Sequence, residues 1–302
     1  MHHHGDKRVE AVRFLEQHVA EVDIRSDALN RVVTVRLLTP RDWVPRSGRT
    51  WPTLYLLHGG DDGPECWTEK TDIGVRARAA DVLVVLPPAG RAGFYTDWLE
   101  PDSHGTTPAW ERFHTHELRE LVEREFGGGD RRAVAGVSMG GYGAVVYAAK
   151  HPGMFVAAAS YSGLLQTTRF GRAAVLRLWL RNVGERVGNM WGPRWRNRRV
   201  WRANDPYWLA DQLVSTPLYL AAGDGTRTPG DPPADGERMI EKLTTPTTRA
   251  LVRRLADLGH PAMWTSFGPG THAWPYWQRE LDRSWAFLRT ALTEREIGFV
   301  GS

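Results

Sequence analysis

Two residues far apart in the chain are suited to work on one carbonyl. Ser138 sits in GVSMG (136–140), a G-x-S-x-G spacing, and His272 sits in FGPGTHAWPYW (267–277). A serine hydroxyl is a weak nucleophile near neutral pH and needs a base within hydrogen-bond reach. Imidazole is the usual base because its proton affinity lies near the working pH. The pair therefore points to acyl transfer through a serine ester. A carboxylate is needed to orient the imidazole. Asp224, Asp231, Glu237 and Glu241 all fall between serine and histidine, and their position after a strand does not choose among them.

The serine motif gains meaning from its flanks. RAVAGVS (132–138) reads as a buried strand and GAVVYAAKH (143–151) as a helix. A sharp strand-to-helix turn between them would lift the Ser138 hydroxyl above a sheet. The helix N-terminus behind it favours developing negative charge. LLHGG (56–60) ends another apolar run in uncrowded N–H groups. Gly60 and Met139 are the expected oxyanion donors. His104, His114, His116 and His151 are read as solvated side chains of helices or loops.

These groups need a scaffold that brings strand ends together. RVVTVRLL (31–38), TLYLLHGG (53–60), VLVVLPP (82–88), FVAAASYSG (155–163), PLYLAAGDG (217–225) and AMWTSFGPG (262–270) read as further strands. Several are apolar throughout, as strands covered on both faces are. Helical spacing appears over 109–126, 237–258 and 276–292. The alternation predicts one α/β domain with a mostly parallel, doubly wound sheet over 31–292. Residues 1–30 are expected to be an N-terminal extension, with 1–4 a tag remnant, and 293–302 a C-terminal tail. Residues 164–216 interrupt the alternation with a Trp- and Arg-rich insertion. Such a segment suits a lid shaping an acyl or alcohol pocket, a packed insert, or a contact with an anionic surface.

Composition removes several classes. Hydrophobic residues make up 41% and charged residues 25%, the balance of a globular chain. One cysteine, Cys66, excludes an internal disulfide and a cysteine-rich zinc site. No metal-ligand spacing is found, and no metal or organic cofactor is expected. A net charge of +4 is weak evidence for nucleic acid, which is not expected as a partner. No run of about 18 apolar residues is present, so no membrane span is expected. With no apolar segment near residue 1, a cytoplasmic location is expected.

The motifs together resemble a known family. YLLHGG, GFYTDW (93–98), WERFHTHEL (110–118), GVSMGG, MWGP (190–193), NDP (204–206) and GTHAWPYW are similar to the antigen 85 mycolyltransferase branch of the α/β-hydrolases, related to the esterase D-like proteins. The resemblance runs from about Trp51 to Leu288. It implies an α/β-hydrolase fold with His272 as base. It also implies Glu241 as the acid, since EKLTTPTTRALV (241–252) matches the family's glutamate before a Leu-Thr pair; Asp224 is the alternative. The family carries an aspartate where this chain has His58, and that loop lines its sugar-acceptor site.

The expectation is a serine carboxylesterase acting on a small-molecule ester. Ser138, His272 and Glu241 would be catalytic, with His58, Trp191 and Trp274 in the substrate pocket. The alternatives are an acyltransferase that passes the acyl group to an alcohol or sugar, and a binding protein that has kept the fold without the chemistry.

Overall fold

The computed structural model describes residues 7–169, 171–186, 188–229, 235–260 and 263–294. Asp231, the tag remnant and most of the C-terminal tail lie outside them. Its strands are β1 (Val9–Glu16), β2 (Val19–Ser26), β3 (Arg31–Leu38), β4 (Trp51–Leu57), β5 (Leu83–Leu86), β6 (Gly128–Val137), β7 (Ala157–Tyr161), β8 (Leu218–Gly223) and β9 (Met263–Gly268). They form one sheet in the order β1-β2-β3-β5-β4-β6-β7-β8-β9. The pairings up to β3–β5 are antiparallel. All those from β5–β4 to β9 are parallel.

The described helices are α1 (Cys66–Lys70), α2 (Ile73–Ala80), α3 (Trp110–Arg112), α4 (Arg119–Glu125), α5 (Met139–Lys150), α6 (Arg172–Asn182), α7 (Arg198–Ala203), α8 (Asp235–Asp257) and α9 (Trp274–Thr293). A π-helical turn, Phe113–Leu118, joins α3 to α4. Strand periodicity sends alternate side chains to opposite faces. Tyr55 and Leu57 of β4 accordingly enter one core, with Phe113, Leu121, Tyr142 and Val145. Leu54 and Leu56 enter the other, with Trp67, Ile73, Leu281 and Leu288. Covered on both faces, the parallel strands can be apolar throughout. This is the α/β-hydrolase arrangement.

The boundary expected at residue 31 falls inside the sheet. Residues 7–30 are not merely an extension, because β1 and β2 continue the antiparallel edge. Ala20, Val22 and Ile24 point inward at 1% exposure. The end of β2 is tied to the π-helical turn: Glu117 accepts the Ser26 hydroxyl at 2.6 Å and the Ala28 N–H at 2.8 Å.

Residues 164–216 follow β7 and carry α6, α7 and a 3₁₀ turn, Ala210–Leu213. Part of this insertion is core. Trp191 and Trp201 are buried and meet edge to face at 5.1 Å. The chain doubles back across β4, with β5 on one side and β6 on the other. Such a switch in an open α/β sheet leaves a crevice at the strands' carboxyl ends. The segments leaving β4 and β6 there carry Gly59, Gly60 and Ser138.

Candidate active site

Ser138 lies between β6 and α5 with φ 53° and ψ −116°, a backbone conformation that is uncommon for a side-chain-bearing residue. The surrounding packing holds it there. Its N–H donates to the Tyr161 carbonyl at 2.8 Å. A Cβ on Gly136 would collide with the backbone of Gly140, and one on Gly140 with the Leu57 carbonyl. The two glycines of G-x-S-x-G are thus required by close approach, strand against helix and helix against β4.

His272 follows β9 and immediately precedes α9. Its Nε2 is 2.7 Å from Ser138 Oγ, and its Nδ1 is 2.7 Å from Glu241 Oε2. Glu241 projects from α8 and is fully buried. Its other oxygen, Oε1, accepts the Ser162 hydroxyl at 2.7 Å and the Gly223 N–H at 2.5 Å. A buried carboxylate needs such donors. With Nδ1–H given to Glu241, Nε2 has its lone pair facing the serine.

The aromatics of the histidine loop brace it. His272 meets Trp277 edge to face at 5.0 Å, Trp277 meets Trp274 at 5.2 Å, and Trp274 meets Trp67 of α1 at 5.2 Å. Trp277 also donates its indole N–H to Ser162 Oγ at 3.1 Å. A cleft of about 500 Å³ opens at Ser138 and His272, lined also by Gly60, Asp62, Lys70, Glu237 and Trp274. That volume falls within the range of small-molecule sites, roughly 300–1,000 Å³.

The family model for esterases matches residues 26–288. The chain belongs to the esterase family. Within this family it is 32% identical over 244 residues to the diacylglycerol acyltransferase/mycolyltransferase Ag85A of Mycobacterium gordonae, covering 76% of this chain and 70% of that protein. It is 35% identical over 240 residues to esterase Rv1288 of Mycobacterium tuberculosis, covering 75% of this chain and 50% of that one. The solved structure of Mycobacterium tuberculosis MPT51 (FbpC1) superposes with a TM-score of 0.75 at 23% identity, covering 88% of this chain and 96% of that one. This esterase-family chain is an enzyme, and its relatives include esterases and acyltransferases.

Other expected residues of the esterase site sit differently. Asp224 is exposed and accepts the Thr226 N–H at 2.7 Å, closing a local turn rather than meeting His272. Glu237 lends its carbonyl to the His272 N–H at 3.3 Å and lines the cleft. Trp274 lines the cleft as well, but His58 and Trp191 do not. His58 is buried, with Nδ1 2.7 Å from the Gly59 carbonyl and Nε2 accepting the Ala89 N–H at 2.8 Å. Burial holds its pKa below the usual histidine value, so the ring is neutral. Trp191 gives its indole N–H to Thr96 Oγ1 at 3.2 Å inside the insertion's core. His114 is buried rather than solvated.

Two residues, Ser162 and Trp179, were not anticipated. Ser162 holds Glu241 in place and Trp277 holds Ser162. Trp179 of α6 lays its ring against Gly60, where a Cβ would collide with it. Ser162 follows a strand in a run of small residues that looks the same as any turn. Trp179 reaches Gly60 only through the path of the insertion. Neither has a local signal.

Proposed function

We propose that the protein hydrolyses carboxylic esters through an acyl-serine intermediate. His272 Nε2 takes the Ser138 hydroxyl proton as Oγ attacks the ester carbonyl. The N–H groups of Gly60 and Met139 receive the oxyanion, and Glu241 orients the imidazole and stabilises its charged form. The tetrahedral intermediate collapses, the alcohol leaves with the proton from Nε2, and a serine ester remains. Water, deprotonated by the same nitrogen, then releases the acid and restores Ser138. The observation that carries this reading is the unbroken chain Ser138–His272–Glu241, at 2.7 Å in each link.

Hydrolysis is favoured over transfer by His58. It stands where the antigen 85 family has an acceptor-site aspartate, yet both its ring nitrogens are engaged by backbone. It offers nothing to a sugar hydroxyl. The second reading, transfer to an alcohol, is supported by the names of the mycobacterial relatives and by Trp179, which shields one side of the loop carrying Gly60.

A short activated ester incubated with glycerol, trehalose or glucose separates the two. Free acid as the main product, lost in Ser138→Ala, is the expected result. Mostly transferred ester would replace hydrolysis by transfer. Loss of Ser138 should cost on the order of 10⁴–10⁶ in rate, and near-wild-type turnover in that variant would overturn the mechanism.

No described helix is long and apolar enough to cross a membrane. We place the enzyme in the cytoplasm, a reading that the buried, unpaired Cys66 supports because the fold draws on no disulfide. Cell fractionation tests it, and recovery outside the cell would reject it.

A further inference from the structure

A second concavity, of about 1,080 Å³, lies apart from the ester cleft and shares no lining residue with it. It is enclosed by the loop after β7, the middle of the insertion, α7 and the C-terminal half of α8. Seven arginines line it, among them Arg198 and Arg202 from α7 and Arg253 and Arg254 from α8. Asp257 is the one carboxylate among its described lining residues. The positive excess in this basin is larger than the net charge of the whole chain, +4. The rest of the molecule is therefore net negative, and the basicity noted in the sequence is concentrated here.

Several arginines elsewhere are held by acids. Arg36 pairs with Glu21 at 2.8 Å, Arg132 with Glu123 at 2.6 Å, and Arg76 with Asp282 at 2.6 Å. In the basin, Arg169, Arg198, Arg202, Arg253 and Arg254 have no carboxylate within 4.0 Å among the described residues. Crowded like charges repel, and a concave wall of one sign focuses its potential into the space it encloses. Aromatic groups are built into the same wall. Arg202 stacks on Trp208 at 4.3 Å, and Trp208 gives its indole N–H to Thr168 Oγ1 at 2.9 Å. This fixes the orientation of both side chains. The guanidinium fork matches phosphate oxygens two at a time, and several forks facing one space match a ligand bearing more than one negative charge.

We propose that this basin is a binding site for a phosphate-bearing ligand with multiple negative charges, separate from the ester-cleaving site. The phosphate comes either from a soluble phosphate ester or from a phospholipid headgroup. Exposed Trp195 and Trp208, at 68% and 48%, would sit at the rim in the second case.

The test is binding of inorganic tripolyphosphate, by calorimetry, and of vesicles of phosphatidylglycerol in phosphatidylcholine, by cosedimentation. It uses the full chain, R198A/R202A and R253Q/R254Q. Saturable tripolyphosphate binding, weakened about tenfold or more by either pair of substitutions, supports a soluble phosphate ligand. Binding confined to phosphatidylglycerol vesicles and lost in the same variants supports the headgroup. Hydrolysis of a short activated ester should be unchanged in both variants, which shows that they fold. Without ligand, R253Q/R254Q should melt above wild type because repulsion is relieved, whereas arginines serving only to hold the fold would give a lower melting temperature. Absence of binding to both probes, or equal binding by wild type and variants, would overturn the proposal.

Discussion

The hydroxyl of Ser162 stands 2.7 Å from Glu241 Oε1, on the carboxylate oxygen not engaged by His272, and the Trp277 indole N–H stands 3.1 Å from that hydroxyl. Trp277 donates to Ser162, Ser162 to Glu241, and Glu241 accepts from His272. The residue that braces the histidine ring from one side thus also holds the carboxylate that orients it from the other. Ser162 carries φ 56°, an unusual conformation for serine, and its N–H is fixed to the Ala221 carbonyl at 2.8 Å.

Ser162→Ala should therefore impair catalysis without touching substrate. It removes one donor from a buried carboxylate and leaves a buried indole N–H without its acceptor. Hydrogen bonds to charged groups contribute about 1.5–3 kcal/mol, so kcat should fall roughly ten- to hundredfold while KM stays close to wild type. Steady-state kinetics on a short activated ester check this. A rise in KM at constant kcat would instead place Ser162 in substrate binding.

Glu241 and Asp224 are separated by one pair of substitutions. Glu241→Gln keeps the shape but loses the charge that stabilises the imidazolium, and kcat should fall on the order of 10³–10⁴-fold. Asp224→Asn alters an exposed turn, where the effect on stability should stay within about 0.5 kcal/mol and kcat should be close to wild type. A larger loss for Asp224→Asn would reverse the assignment of the acid.

The parallel half of the sheet was legible because its strands are covered on both faces. VLVVL (82–86) and AVAGV (133–137) are apolar without alternation. β1 was not, since most of its residues are exposed and it shows no inward face. β2 does alternate, with Ala20, Val22 and Ile24 inward, so its signal was present and passed over. The meeting of Ser138 and His272 was legible because both follow parallel strands, whose carboxyl ends lie along one edge of the sheet. Glu241 was not legible from strand position, because it is delivered by a helix 18 residues beyond the Gly223 N–H it binds. His58 was expected in the pocket from the family's acceptor-site loop and Trp191 from the aromatic insertion, and only packing shows that their polar atoms are already satisfied within the fold.

Gly60 and Trp179 form a coupled pair. A methyl group at Gly60 would strike the Trp179 ring and displace the peptide whose N–H is assigned to the oxyanion. Losing one oxyanion donor costs about 10²–10³ in kcat, so Gly60→Ala should fall toward that range. In a Trp179→Ala background the added methyl meets no ring, and the same change should cost much less. A double-mutant cycle on kcat measures this coupling. Strictly additive effects would mean that Trp179 does not constrain the loop.

His114 makes stability depend on pH. Its Nε2 is 2.8 Å from the Pro88 carbonyl and its Nδ1 is 2.7 Å from the Tyr147 hydroxyl, all within the core. Burial pushes its pKa down from 6.5 to about 3. The unfolded chain takes up a proton there as pH falls through about 6.5, whereas the folded chain does so only near 3. Between those values the unfolded state binds more protons, so stability is lost as pH falls, by about 1.4 kcal/mol per pH unit for this group. Above the unfolded value the term vanishes. Buried His58, also shifted downward, adds a contribution of the same sign. Urea unfolding of wild type and His114→Gln across this window measures the slope. The variant starts less stable, because its bonds to Tyr147 and Pro88 are altered, but its loss per pH unit should be shallower by about that amount. Parallel curves would show that His114 does not stay neutral in the folded protein.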